Sequence, residues 1–223
     1  MKLLSVNCGL PREVLWHGQP VTTSIYKESA QGRVALRSLN LDGDRQSDLT
    51  VHGGEYKAVY FYPVEYYTYW QEKLPGLPLP YGSFGENFTV KGLAQEGLAE
   101  DKVHIGDRFS VGSAEVMVTQ PRLPCYKLGI RLQSDGVIKP FLQSRRTGFY
   151  VSVTREGNVG AGDELSLLSH DSDSVPVSEI VRLYMAKEYG PEDALLARRA
   201  IAAKGLPESW KTWFQAKLDR LGA

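Results

Sequence analysis

The stretch Ile105-Gly106-Asp107-Arg108-Phe109-Ser110-Val111-Gly112-Ser113-Ala114-Glu115-Val116-Met117-Val118-Thr119 holds two short strand-like runs separated by a glycine turn. Arg108–Val111 alternates polar and apolar residues with period two, the signature of a half-buried strand, and the run after it is rich in β-branched residues. Gly106-Asp107 is a turn dipeptide placed just before the first run, and Gly162-Asp163 repeats that arrangement before Glu164-Leu165-Ser166-Leu167. Further strand-like stretches lie at residues 33–39, 58–62, 87–90, 115–119, 150–154 and 164–168, so the chain to about residue 170 reads as a barrel or sandwich.

Helical patterns interrupt and then follow this body. Residues 63–74 fit a helix with Pro63 in its first turn and Val64, Tyr67, Trp70 and Leu74 near one face, and residues 138–143 fit a shorter one. The prolines of residues 75–82 exclude both regular elements and predict an ordered loop. A polar linker at residues 170–174 precedes three predicted helices: 178–187 capped by Ser178, 191–204 opened by Pro191 and closed by Gly205, and a third opened by Pro207. Trp210, Phe214, Leu218 and Leu221 form a stripe on the last. The expected fold class is mainly β with α, a β body over residues 1–170 followed by a linker and three-helix module over 171–223.

Composition restricts the partners. Lys plus Arg and Asp plus Glu both number 26 in 223 residues, so no global field favours a nucleic-acid polymer and any bound anion needs a local cluster of cations. The N-terminus lacks the pattern of a signal peptide and no run approaches the roughly 20 apolar residues of a membrane span, which predicts a cytoplasmic protein with no membrane partner. Cys8 and Cys125 stand too far apart to suggest a disulfide framework and read as free thiols. The four histidines show no metal-binding spacing, which argues against zinc or an iron–sulfur cluster, and no Gly-x-Ser-x-Gly elbow supports a serine hydrolase.

Three places carry candidate chemistry. Cys125 follows Pro124, with Arg122 and Lys127 close in sequence; restricted backbone and nearby cations favour a thiolate, while a buried inert thiol is the alternative. His52-Gly53-Gly54, with Lys57 and Arg45 nearby, offers backbone N–H groups and charge for an anion, or is only a glycine turn. Asn87, after Gly85-Glu86, can bind a polar ligand through its donor and acceptor, or can cap its own backbone.

Five segments taken in order resemble the MOSC domain family, particularly its small bacterial YiiM-like members. They are Leu41-Asp42-Gly43-Asp44, Val51-His52-Gly53-Gly54 with Lys57-Ala58-Val59-Tyr60, Phe84-Gly85-Glu86-Asn87, Ile105-Gly106-Asp107 and Gln120-Pro121-Arg122-Leu123-Pro124-Cys125-Tyr126-Lys127. The resemblance covers nearly the whole chain and implies a MOSC β-barrel-like domain followed by a three-helix module. It implies that Cys125 ligates molybdenum of a molybdenum cofactor (molybdopterin), or carries a persulfide. A thiolate is a soft ligand suited to such a metal.

Arg45, Lys57, Arg122 and the turn His52-Gly53-Gly54 are then candidates for the cofactor's phosphate, Asn87 for its pterin or phosphate, and His52 for proton handling. The implied activity is an oxidoreductase reducing N-hydroxylated small molecules such as hydroxylamino purines to amines, with electrons from a separate reductase. A carrier of cofactor or persulfide sulfur is the alternative, and an interaction scaffold built on the helical module is a third reading.

Overall fold

The structure is a computed structural model that describes residues 1–48, 53–93 and 102–221. Twelve strands are formed by these residues: β1 (Lys2–Cys8), β2 (Arg12–Trp16), β3 (Gln19–Thr23), β4 (Glu28–Ser29), β5 (Val34–Leu36), β6 (Val59–Pro63), β7 (Phe88–Lys91), β8 (Arg108–Val111), β9 (Ala114–Pro121), β10 (Phe149–Arg155), β11 (Gly157–Val159) and β12 (Leu165–Ser169). Eight of them make one sheet in the order β12-β8-β9-β10-β6-β7-β1-β4, and β2-β3 and β5-β11 make two smaller pairs. Every pairing is antiparallel except β6 with β7.

The two sides of the large sheet meet where β1 approaches the start of β12. Leu3 N–H donates to Asp163 O at 2.9 Å, Gly162 N–H to Leu3 O at 2.7 Å and Leu165 N–H to Met1 O at 2.9 Å. Closure satisfies backbone groups that an open edge would leave exposed, and it makes the predicted β body a barrel. The repeated Gly-Asp turns share one mechanism. Asp107 accepts from His104 N–H at 2.9 Å and Asp163 from Gly160 N–H at 2.9 Å, so each carboxylate closes the turn that starts the next strand.

Six α-helices are formed by the described residues: α1 (Glu65–Lys73), α2 (Tyr126–Leu132), α3 (Ile138–Gln143), α4 (Val177–Met185), α5 (Pro191–Ala202) and α6 (Glu208–Leu221). Several expected boundaries move. Pro63 ends β6 opposite Val90 instead of opening α1, because Val64 N–H is claimed by Val90 O at 2.8 Å. Ser178 lies inside the first turn of α4 after Pro176, with its hydroxyl buried and unpartnered, so it is not the cap. Helix α5 does open on Pro191 but ends at Ala202, and Gly205 serves instead as a contact point, since a Cβ there would meet Gly106 N and Val118 O at 2.8 Å. The predicted helix at 138–143 is α3, whereas α2 was not foreseen.

Strand β6 is buried along its whole length because both faces are covered. Val59 and Phe61 point into the barrel core with Phe88, Phe109 and Phe149, a core that continues into Val177, Ile180, Trp210, Phe214 and Leu218 of the C-terminal helices. Tyr60 and Tyr62 face an aromatic cluster with Tyr67, Trp70, Phe84 and Phe141 under α1, α2 and α3. Each such aromatic contributes about 1.5–3 kcal/mol by leaving water. The residues of the predicted linker are pinned to the barrel, His170 Nδ1 and Asp171 N–H each lying 2.9 Å from Asp107 Oδ1.

Candidate functional site

Strand β9 leaves the sheet at Pro121, and the chain crosses to α2 through Arg122-Leu123-Pro124-Cys125. The crossing is fixed from below, where Arg122 N–H donates to Gly148 O at 3.2 Å. Only glycine suits position 148, with φ at +64° and space for a Cβ blocked by Phe61 O at 2.4 Å. Cys125 then takes extended dihedrals as the residue before α2 and accepts Leu128 N–H at 2.9 Å through its carbonyl. Its side chain is half-buried and forms no disulfide.

Cys125 lines a cleft with Arg122, Lys127, Tyr150, Ser24 and Lys27, whose remaining wall is formed by residues from 23–25, 46–47, 85 and 123. The enclosed part of the cleft measures about 90 Å³, and its mouth is open to solvent. Arg122 is 6% exposed, lies 5.3 Å from the ring centroid of Tyr60 and 5.7 Å from that of Phe141, and its Nη1 is buried with no hydrogen-bond partner among the described residues. Ser24 Oγ is buried and unpartnered in the same way. Two polar atoms of residues lining one cleft that meet no partner among the described residues fit a ligand that accepts hydrogen bonds.

The electrostatics agree with an anion. Burial disfavours the Arg122 charge, but Tyr60, Tyr150 and Cys125 around it outweigh that penalty and its pKa is raised. Burial pushes the Tyr150 phenol up, the Arg122 cation opposes this and Cys125 adds to it, so Tyr150 stays a proton-bearing donor. Lys127 Nζ donates to Ser47 Oγ at 2.9 Å. Lys27 is ion-paired with buried Asp44. At the other thiol, burial, then Asp44, pushes Cys8 up to about 11.

Of the residues expected at a site, Arg122 and Cys125 share the cleft. Arg45 has an exposed side chain just before the lining residues Gln46 and Ser47. Gly53 packs on Gln46, where a Cβ would lie 3.2 Å from Cδ, and Gly54 is exposed; both have positive φ. Lys57 is half-buried and its pKa is lowered by burial. Asn87 stands behind the cleft wall with its amide spent internally, accepting Tyr60 N–H at 3.1 Å and donating to Asn7 O at 3.2 Å and Asp44 Oδ2 at 3.0 Å. His52 lies outside the described residues. Sequence reasoning missed Ser24, Lys27 and Tyr150, which come from segments carrying no motif.

Fold and cleft together define a closed β-barrel protein with an accessible thiol set among cations and open hydrogen-bond donors. The model of the MOSC domain matches residues 48–166, more than half of the chain. The chain belongs to the MOSC domain family. It is 37% identical over 219 residues to the uncharacterized protein YflK of Bacillus subtilis (strain 168), covering 98% of this chain and 95% of that one. A crystal structure of YiiM from Geobacillus stearothermophilus matches with a TM-score of 0.78 at 31% identity, covering 97% of this chain and 98% of that one. A protein named reductase from Gibberella moniliformis (strain M3125 / FGSC 7600) is 30% identical over 188 residues, which is 83% of this chain but 32% of that longer protein. No helix among the described residues is long and apolar enough to cross a membrane.

Proposed function

We propose that this chain is a molybdenum-cofactor-dependent oxidoreductase that reduces N-hydroxylated small molecules, such as hydroxylamino purines, to their amines. The observation that carries this reading is one cleft holding Cys125 together with the unpartnered donors Arg122 Nη1 and Ser24 Oγ. That donor set fits the cofactor: a soft sulfur for the metal and buried hydrogen-bond donors, one of them cationic, for the phosphate. The relationship to a protein named reductase supports the redox class.

Cys125 Sγ would be the protein's ligand to the metal, with Arg122, Ser24 and Lys127 on the anionic part and the Gly53-Gly54 turn at the rim. When bound, the cofactor supplies two-electron oxygen removal, and a separate reductase supplies the electrons. The balance is one N-hydroxylamine, two electrons and two protons giving one amine and one water. The chain's own part is to bind, orient and protonate. Tyr150 Oη, kept protonated by burial, is positioned to hold a proton in the cleft beside Arg122. Lys127, tied to Ser47, fixes the segment after Cys125 against the opposite wall.

Anaerobic purification followed by molybdenum and pterin analysis, on wild type and Cys125→Ala in parallel, tests this reading. The expected result is stoichiometric molybdenum and reduction of the hydroxylamino purine in wild type, with turnover lost in the variant. Full molybdenum-dependent turnover in Cys125→Ala would overturn it. Labile sulfur on Cys125 without turnover would favour the sulfur carrier.

A further inference from the structure

A second set of cations stands outside the Cys125 cleft. Arg12 on β2 places its Cζ 3.7 Å from the ring centroid of Tyr26, and Arg131 on α2 places its own 5.3 Å from the same centroid. Neither guanidinium has an ion-pair partner among the described residues. Arg131 spends one donor on Ser83 Oγ at 3.2 Å, and its Nε is buried with no partner. These side chains line a pocket with Lys27, Glu28 and Tyr81. Glu28 borders the space without an ion pair to either arginine, so two like charges gathered on one tyrosine have no ion-pair partner among the described residues. Planar forks of this kind match the oxygens of a phosphate.

Lys27 borders both this pocket and the Cys125 cleft. The two spaces therefore share Lys27 as a wall residue. A nucleoside monophosphate carries its phosphate a ribose away from its base, an arrangement that suits two neighbouring subsites. We propose that the Arg12–Tyr26–Arg131 pocket is a phosphate subsite, and that the N-hydroxylated substrate is a phosphorylated nucleoside in preference to the free base. This inference rests on the reductase reading for its substrate, though not for phosphate binding.

The experiment compares a hydroxylamino purine with its nucleoside monophosphate on holoenzyme, in wild type and in the double variant Arg12→Gln/Arg131→Gln. Wild type should show kcat/KM at least about tenfold higher for the monophosphate, the order expected of charged hydrogen bonds. The double variant should lose that preference through KM alone, with turnover of the free base unchanged, which also reports that it folds. Isothermal titration with the monophosphate and the base reads the subsite without turnover, and the tighter binding of the monophosphate should vanish in the double variant. Equal affinity for both ligands in wild type, or a preference that survives the double variant, would overturn the subsite. Inorganic phosphate bound through the two arginines without preference for the monophosphate would overturn the substrate assignment. Arginine-dependent binding of the monophosphate with no reduction of either compound would support the subsite and break the reductase reading alone.

Discussion

Behind the cleft, polar side chains are joined in an unbroken chain, while Arg122 and Ser24 of its lining each keep a buried polar atom with no partner among the described residues. Glu86 accepts from Gly82 N–H at 2.8 Å, Phe84 N–H at 3.0 Å and Thr89 Oγ1 at 2.9 Å, and from the Tyr67 hydroxyl. Thr89 in turn accepts from Asn7 Nδ2 at 3.1 Å, and Asn87 links Asn7 O to Asp44, which holds Lys27 and accepts Gly9 N–H at 2.8 Å. Arg122 and Ser24 are buried as deeply but leave Nη1 and Oγ unmatched. Residues of similar chemistry thus serve two ends. Where every group is satisfied the network fixes the wall, and where groups lack a partner among the described residues the proposed function gives them a ligand to meet.

The sharpest way to break this contrast is to cut each region once and compare stability with binding. Asp44→Ala strands a Lys27 ammonium that is 9% exposed and removes the acceptor of Gly9 and Asn87, so it should cost about 3–5 kcal/mol in urea unfolding. Adding Lys27→Met should recover part of that loss. A cost below about 1 kcal/mol would mean that the network is not holding the wall. Arg122→Gln should behave in the opposite way. It removes a buried guanidinium whose Nη1 has no hydrogen-bond partner among the described residues, so the urea midpoint should fall far less than in Asp44→Ala, while cofactor retention at limiting cofactor should fall about 10- to 100-fold, the value of charged hydrogen bonds. Loss of stability with unchanged retention would place Arg122 in the scaffold.

A pair of serines gives a smaller version of the same test. Ser5 Oγ donates to Asn7 Oδ1 at 2.7 Å within the network, so Ser5→Ala should cost about 1 kcal/mol. Ser24→Ala deletes an unpartnered hydroxyl and should cost nothing in stability while weakening cofactor retention a few-fold. Equal destabilisation by the two would erase the distinction.

The sequence made the satisfied region and the open region legible to different degrees. Strands with clean alternation, such as Arg108–Val111, and the helix opening at Pro191 lie where local pattern placed them. Helix α2 stayed hidden because Gly129 sits at its centre, a residue that weakens helices, and its reason is tertiary: a Cβ there would come 2.9 Å from Ser134 O. The β2–β3 hairpin was hidden by its turn, in which His17 takes φ of 49° before Gly18, a conformation uncommon for histidine. At the site, Cys125 and Arg122 could be named because they share one motif. Ser24 and Lys27 approach from nearly a hundred residues away, and an unmatched donor is a property of the folded cleft that no local pattern records. Asn87 shows the converse: a motif residue whose polar groups the fold consumes.

The two thiols extend the comparison to chemistry. Cys8 borders the satisfied network, where burial and the Asp44 carboxylate raise its pKa from 9.0 to about 11, whereas Cys125 faces the cleft beside Arg122. A raised acid keeps its proton in the folded state after the unfolded chain has lost it. Cys8 therefore contributes no slope below pH 9, and stability falls as pH rises from 9 to about 11 because the unfolded state ionises first. The thiol is partly exposed, so the amplitude is small. Urea midpoints across that interval should fall less steeply in Cys8→Ala than in wild type, since the difference between the two isolates the thiol from the lysines and tyrosines that titrate with it. Parallel slopes would show that Cys8 is not held by the network. Alkylation of the metal-free protein near neutral pH reads the same contrast through rate: Cys125 should react first and Cys8 slowly, because only the thiolate attacks. Preferential labelling of Cys8 would reverse the assignment of which thiol the fold keeps available.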